Sequence, residues 1–185
     1  MSYRIGLVGA GGTGKSTLAR MLAEKLGLPL LASKCVTQEI LDRDGYDYGS
    51  GIQIERFLAN SHRQIELVKR TFQAYEGIEF FVTDRTAIDL AAYALCELND
   101  SDPETLKKVF EFCRDSVGSY THLFLCPRGS LPMESNRRRT LNPWYQFLIH
   151  TIERGIAEDW KVGLTELKKE SVEERVAEVR SWLKA

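Results

Sequence analysis

Residues 3–27 read YRIGLVGAGGTGKSTLARMLAEKLG, and the order of residue types in this stretch decides the fold. The apolar run 3–10 has the character of a β-strand and passes into a glycine-rich turn. Residues 15–27 then follow helical spacing and close on Gly27. Between them, Gly9-Ala10-Gly11-Gly12-Thr13-Gly14-Lys15-Ser16 fits G-x-x-x-x-G-K-[ST] at every specified position, in the required strand-to-helix context. Glycines let the backbone approach a phosphate closely and turn its amides inward, because they lack Cβ and accept positive φ. The N-terminus of the following helix adds partial positive charge. Gly11, Gly12, Thr13, Gly14, Lys15, Ser16 and Thr17 are therefore the expected binding residues for a purine nucleoside triphosphate. Lys15 is expected to reach the β- and γ-phosphates, and Ser16 to place its hydroxyl on magnesium.

Outward from this stretch, strand and helix patterns alternate. LPLLAS (28–33) reads as a second strand, and 51–75 as one long amphipathic helix with Ile54, Phe57, Leu58, Ile65, Val68 and Phe72 on one face. IEFFVTD (78–84) reads as a buried strand and 86–98 as a helix. Ser101-Asp102-Pro103-Glu104 has the form of a capping box opening another helix. A strand at 120–127 stops at Pro127, a helix covers 144–160, and a last strand covers 161–167. Ser171-x-x-Glu174 caps a final helix with Val172, Val176, Val179 and Leu183 inward. Five strands separated by helices predict a three-layer α/β domain, a P-loop NTPase with a five-stranded parallel sheet, spanning 1–185 as one unit.

The composition agrees with a soluble globular chain: of 185 residues, 43% are apolar and 28% charged. No apolar run approaches the roughly 20 residues of a membrane span. The first residues enter a strand directly, without signal-peptide architecture, so a cytoplasmic location is expected. Cys35, Cys96, Cys113 and Cys126 lack metal or disulfide spacing and read as reduced thiols. His62, His122 and His150 likewise show no ligand spacing. The formal charge of −1 weighs against a general duplex-DNA binder.

Four features bear on the type of P-loop protein. A GTPase needs N-K-x-D, yet none of Asn60, Asn99, Asn136 and Asn142 precedes a lysine. FFVTDRTAIDLAAYA (80–94) places Asp84 and Arg85 at the carboxyl end of a strand, facing the ligand crevice of an open sheet. Asp84 there holds magnesium or accepts the acceptor's proton. Arg85 binds an acceptor phosphate or steadies the transferring phosphoryl group. Residues 128–143 carry Arg137, Arg138 and Arg139 and are expected to form a LID, with Arg137 and Arg138 acting on phosphates. A solvated charge run or a nucleic-acid contact are the other readings of that triplet. Tyr46, Tyr48, Gln53 and Phe57 are candidate walls of an acceptor pocket.

GLVGAGGTGKSTLARMLAEKLGLP followed by VTDRTAIDLAAYA resembles the P-loop kinases grouped with the ribosylnicotinamide kinase domain. Thymidylate and deoxynucleoside kinases are more distant relatives. The resemblance implies that Lys15 and Ser16 occupy the phosphate and magnesium positions, and Asp84-Arg85 the acidic–Arg pair after strand three. Many relatives carry an acid just after strand two. Here Ser33 and Lys34 stand in that place, with Glu39 later. Some bacteriophage enzymes of this broad type phosphorylate 5-hydroxymethyluracil within DNA, which makes modified DNA the alternative acceptor. The expectation is an ATP- and Mg2+-dependent phosphotransferase acting on a nucleoside or nucleoside monophosphate. An ATP-binding switch with slow hydrolysis and no acceptor is the alternative of another class. The oligomeric state is not legible.

Overall fold

The computed structural model describes residues 3–45, 60–98, 102–129 and 142–184, the side chains of 33–35 excepted. Five strands form one sheet: β1 (Arg4–Val8), β2 (Leu30–Leu31), β3 (Phe81–Thr83), β4 (His122–Leu125) and β5 (Thr165–Glu166). Their order is β2-β3-β1-β4-β5, and every pairing is parallel. Seven helices among the described residues flank it: α1 (Lys15–Leu26), α2 (Ser33–Arg43), α3 (Ser61–Gln73), α4 (Ala87–Leu98), α5 (Pro103–Ser116), α6 (Pro143–Asp159) and α7 (Val172–Trp182).

Strand alternation splits the core into two layers. Ile5 and Leu7 of β1, Val82 and Phe124 face α1 and α7, where Leu18, Leu22, Val176 and Val179 cover them. Val8, Phe81, Leu123 and Leu125 face the opposite way, toward apolar residues of α2 through α6. The centre of β1 is Gly6, where a Cβ would lie 2.7 Å from both Leu123 Cδ2 and Thr86 Cγ2. The close approach of α4 to the sheet requires that glycine.

The elements differ from the sequence expectation in several places. β2 is only Leu30–Leu31, because this edge strand has a single neighbour, β3, and Ala32 turns the chain into α2 at Ser33. The helix α2 was not anticipated; it buries Ile40 and Leu41. Within the helix expected over 51–75, α3 starts at Ser61, since Asn60 is extended and its side chain caps the Arg63 amide at 3.2 Å. Val68 and Phe72 are buried on it as expected, whereas Ile54, Phe57 and Leu58 lie outside the described residues. α5 is capped by Asp102, which accepts the Thr105 amide at 2.9 Å, so the cap sits one residue later than the Ser101–Glu104 box. β5 is shorter than 161–167, because Lys161 (φ 54°) and the Val162 amide, bonded to the Ala157 carbonyl, turn the chain at the end of α6. The Ser171–Glu174 capping box forms as anticipated.

Cys113 and Cys126 are buried free thiols, and Cys96 is half-buried. Burial pushes the Cys126 thiol up to about 12. Among the described residues no helix is long and apolar enough to cross a membrane.

Candidate functional site

The glycine loop leaves β1 at Val8 and returns into α1 at Lys15. Gly9, Gly12 and Gly14 take φ of 146°, 85° and 84°, which non-glycine residues rarely adopt. Gly14 is the N-cap of α1 and offers no side-chain cap. Among the described residues, the amides of Gly12 through Thr17 have no recorded partner. They are the unpaired donors every helix start leaves, extended backward through the turn. Thr17 itself is exposed on the first turn of α1.

Lys15 is buried, and its ammonium donates to the carbonyls of Gly9 and, at 3.0 Å, Ala10. An ammonium has three donors, so one remains for an outside acceptor. Asp89 Oδ1 stands 3.8 Å from the same nitrogen. Asp89 is fully buried and does two further things. It forms a reciprocal cap with Thr86 at the start of α4, accepting the Thr86 amide at 2.9 Å and its hydroxyl at 2.6 Å. It also accepts the Gly9 amide at 3.3 Å, which ties the loop entry to α4.

Adjacent pairing of β1 and β3 brings the two strand ends together. Ser16, on the first turn after the loop, donates its hydroxyl to Asp84 Oδ2 at 2.6 Å. The backbone behind Asp84 is held by Tyr75, whose hydroxyl lies 2.9 Å from Thr83 Oγ1 and donates to the Arg85 carbonyl at 3.0 Å. Arg85 projects beside it, with its guanidinium 4.8 Å from the centre of the Tyr93 ring. Burial opposes the charge on Arg85, but Tyr93, Asp89, Asp84 and Glu153 outweigh it and hold its pKa above the ordinary value.

The sequence expectation missed the residues that hold the loop from behind. Tyr93 on α4 accepts the Gly11 amide at 3.1 Å. Gln146 on α6 donates to the Gly11 carbonyl, and a Cβ on Gly12 would lie 2.8 Å from its amide nitrogen. Arg175 on α7, fully buried, donates to the Thr13 carbonyl at 2.6 Å and to the Lys169 carbonyl at 2.8 Å. Glu153 on α6 is also fully buried, and its two oxygens meet no donor among the described residues. Burial, then the charge of Asp89, pushes its carboxyl well above the usual range. The Thr-x-x-Asp spacing of Thr86 and Asp89 is the local signal that could have marked their cap; nothing local marked Gln146, Glu153 or Arg175.

Arg137 and Arg138 lie outside the described residues, as do Tyr46, Tyr48, Gln53 and Phe57. Arg128, at the start of the expected LID, is exposed with its guanidinium 5.0 Å from the Phe147 ring centre. Glu39 does not face the loop in an ion pair; it binds Arg70 at 2.5 Å, within a charge network joining α2 to α3. Among the described residues no cluster of three or more His, Cys, Asp or Glu forms a metal site. Ser16 and Asp84 present hard oxygen donors side by side, the type magnesium prefers.

The family described as "AAA domain" matches residues 4–175. The chain belongs to this AAA-domain family. No curated protein matches it by sequence. Among solved structures, this AAA-domain chain is similar to NadR protein in complex with NR, at 14% identity and a TM-score of 0.69. That match covers 98% of this chain and 50% of the other, so the chain spans half the length of NadR. Deoxyadenosine kinase from M. mycoides matches at 16% identity and a TM-score of 0.65, covering 97% of each chain. Shikimate kinase from Aquifex aeolicus matches at 19% identity and a TM-score of 0.56, covering 98% of this chain and 96% of that one. These likenesses establish a P-loop fold, with the five-stranded parallel sheet expected from the sequence.

Proposed function

We propose that the AAA-domain chain is an ATP-dependent phosphotransferase that moves the γ-phosphate to a hydroxyl or phosphate of a nucleoside or nucleoside monophosphate. The observation that carries this is the Ser16–Asp84 hydrogen bond of 2.6 Å, with Arg85 beside it. A nucleotide-binding loop alone is common to switches and motors. A loop whose helix start touches an Asp-Arg pair has both a donor side and an acceptor side. The relatives of like fold whose names include deoxyadenosine kinase and shikimate kinase support the same class.

Phosphoryl transfer needs positioning and charge neutralisation more than covalent chemistry. The free amides of the loop and the third donor of Lys15 take the donor phosphates. Ser16 and Asp84 would hold magnesium, which supplies charge neutralisation at the β- and γ-phosphates. Asp84 faces the acceptor, and Arg85 balances charge on the acceptor or on the group in transit. Arg137 and Arg138 are assigned to the phosphates in this reading, and 1–185 works as one unit. Incubation with γ-labelled ATP and a panel of nucleosides, monophosphates, ribosylnicotinamide and hydroxymethyluracil DNA tests the assignment. Label on a nucleoside or monophosphate is expected. Label on DNA alone moves the acceptor to the modified base, and label released only as free phosphate overturns the kinase assignment.

A further inference from the structure

We infer that Gln146 and Arg175 are positioning residues that aim the phosphate-binding amides of the glycine loop by pinning two of its carbonyls from outside. In a trans peptide the C=O of one residue and the N–H of the next point in opposite directions. Gln146 holds the Gly11 carbonyl, which sends the Gly12 amide the other way. Arg175 holds the Thr13 carbonyl at 2.6 Å, which does the same to the Gly14 amide. Those two amides are among the unpartnered donors of the loop. At both positions φ is positive, 85° and 84°, in glycines whose peptide planes would otherwise rotate freely.

The two pins come from opposite faces of the sheet. Gln146 lies on the first turn of α6, directly after the segment 128–143, and Arg175 on α7. Neither side chain need touch a phosphate. Each prevents the peptide flip that would present a carbonyl oxygen, instead of an amide, to an incoming anion. A buried guanidinium is well suited to this, because its planar fork donates in fixed directions. Arg175 uses two of those directions, one on the loop and one on the Lys169 carbonyl that precedes α7.

The inference rests on the loop binding phosphate, and the test separates the two claims. The full chain is titrated with ADP and with inorganic pyrophosphate in magnesium-free buffer, for wild type, Gln146→Glu, Arg175→Met and Arg175→Lys. Gln146→Glu keeps the shape but turns the donor into a charged acceptor. Gln146→Met, uncharged and of similar length, is therefore titrated beside it to separate loss of the donor from the added charge. Losing one such hydrogen bond is expected to weaken both ligands about tenfold, with Arg175→Lys intermediate. Arg154→Ala, which removes the exposed pair with Glu166, is the unaffected control. In amide NMR spectra, Gln146→Glu should abolish the pyrophosphate response of Gly12 and keep that of Gly14. Arg175→Met should do the reverse, a pattern that general loss of stability does not produce. Should the Arg175 variants fail to fold, the uncharged Gln146→Met decides alone, by its binding and by the Gly12 and Gly14 responses. Folded variants that bind like wild type and keep both glycine responses overturn the pins. Wild type that binds neither ligand overturns the nucleotide assignment and the pins with it.

Discussion

At the scale of single residues, Lys15 and Glu153 make opposite demands on the same buried space. Lys15 is held ready by two loop carbonyls, with its third donor free. Its replacement by alanine should cost roughly 3 kcal/mol of transition-state stabilisation, as the loss of one preorganised donor does elsewhere. Steady-state turnover on the acceptor found in the labelling panel measures this, and unchanged kcat/KM would remove Lys15 from the machinery. Asp84→Asn should keep the fold and lose transfer at millimolar magnesium. Glu153 finds no donor for its oxygens among the described residues. The charged groups facing it are Asp89 on α4, which its protonated carboxyl can reach, Lys15 on α1 and Arg85 after β3. Its folded pKa is raised, so above the ordinary carboxylate range unfolding releases its proton. Stability from this group is thus whole at low pH and falls as pH rises toward the folded value. Glu153→Gln should gain on wild type by at most about 1.4 kcal/mol per pH unit through that window. Urea midpoints of the two proteins from pH 5 to pH 8 give the difference directly. Parallel curves would mean that Glu153 ionises normally.

At the scale of elements, the contact of α4 with β1 controls the site. The Thr86–Asp89 cap starts α4, and the same Asp89 holds the Gly9 amide, so the helix start and the loop entry share one carboxylate. Thr86 cannot swing its methyl aside without breaking its bond to Asp89. Gly6→Ala, which places a methyl 2.7 Å from Thr86 Cγ2 and Leu123 Cδ2, should therefore overpack and cost roughly 1–3 kcal/mol. Thermal unfolding should register it as a fall of roughly 2–4 °C for each kcal/mol. A variant as stable as wild type would show that α4 yields.

At the scale of the whole molecule, the loop is the meeting point of helices from both faces of the sheet. Asp89 and Tyr93 reach it from α4, Gln146 from α6 and Arg175 from α7. A ligand on the loop should therefore stabilise the entire fold. ADP at one hundred times its Kd should add about 2.7 kcal/mol by linkage, or roughly 5–10 °C in the melting temperature. Lys15→Ala should lose most of that gain at the same ADP concentration. A melting temperature indifferent to ADP would contradict nucleotide binding.

The glycine loop, the Asp84-Arg85 pair and the alternating strands were legible because their signals are local: spacing, periodicity and turn chemistry sit within a few residues of one another. The Ser171–Glu174 cap and the inward face of Val176 and Val179 were legible for the same reason. The start of α3 within the helix expected over 51–75 was missed because periodicity does not mark where a single capping Asn60 opens a helix. By itself, then, the chain's sequence determined the P-loop class and where the loop lies. Only the tertiary structure decided what holds that loop. Gln146 and Arg175 stand more than a hundred residues from it along the chain, and Glu153 looks like any charged helix residue until parallel strand order buries it beside Asp89. Burial and long-range hydrogen bonds give such residues their roles, and no local pattern records either.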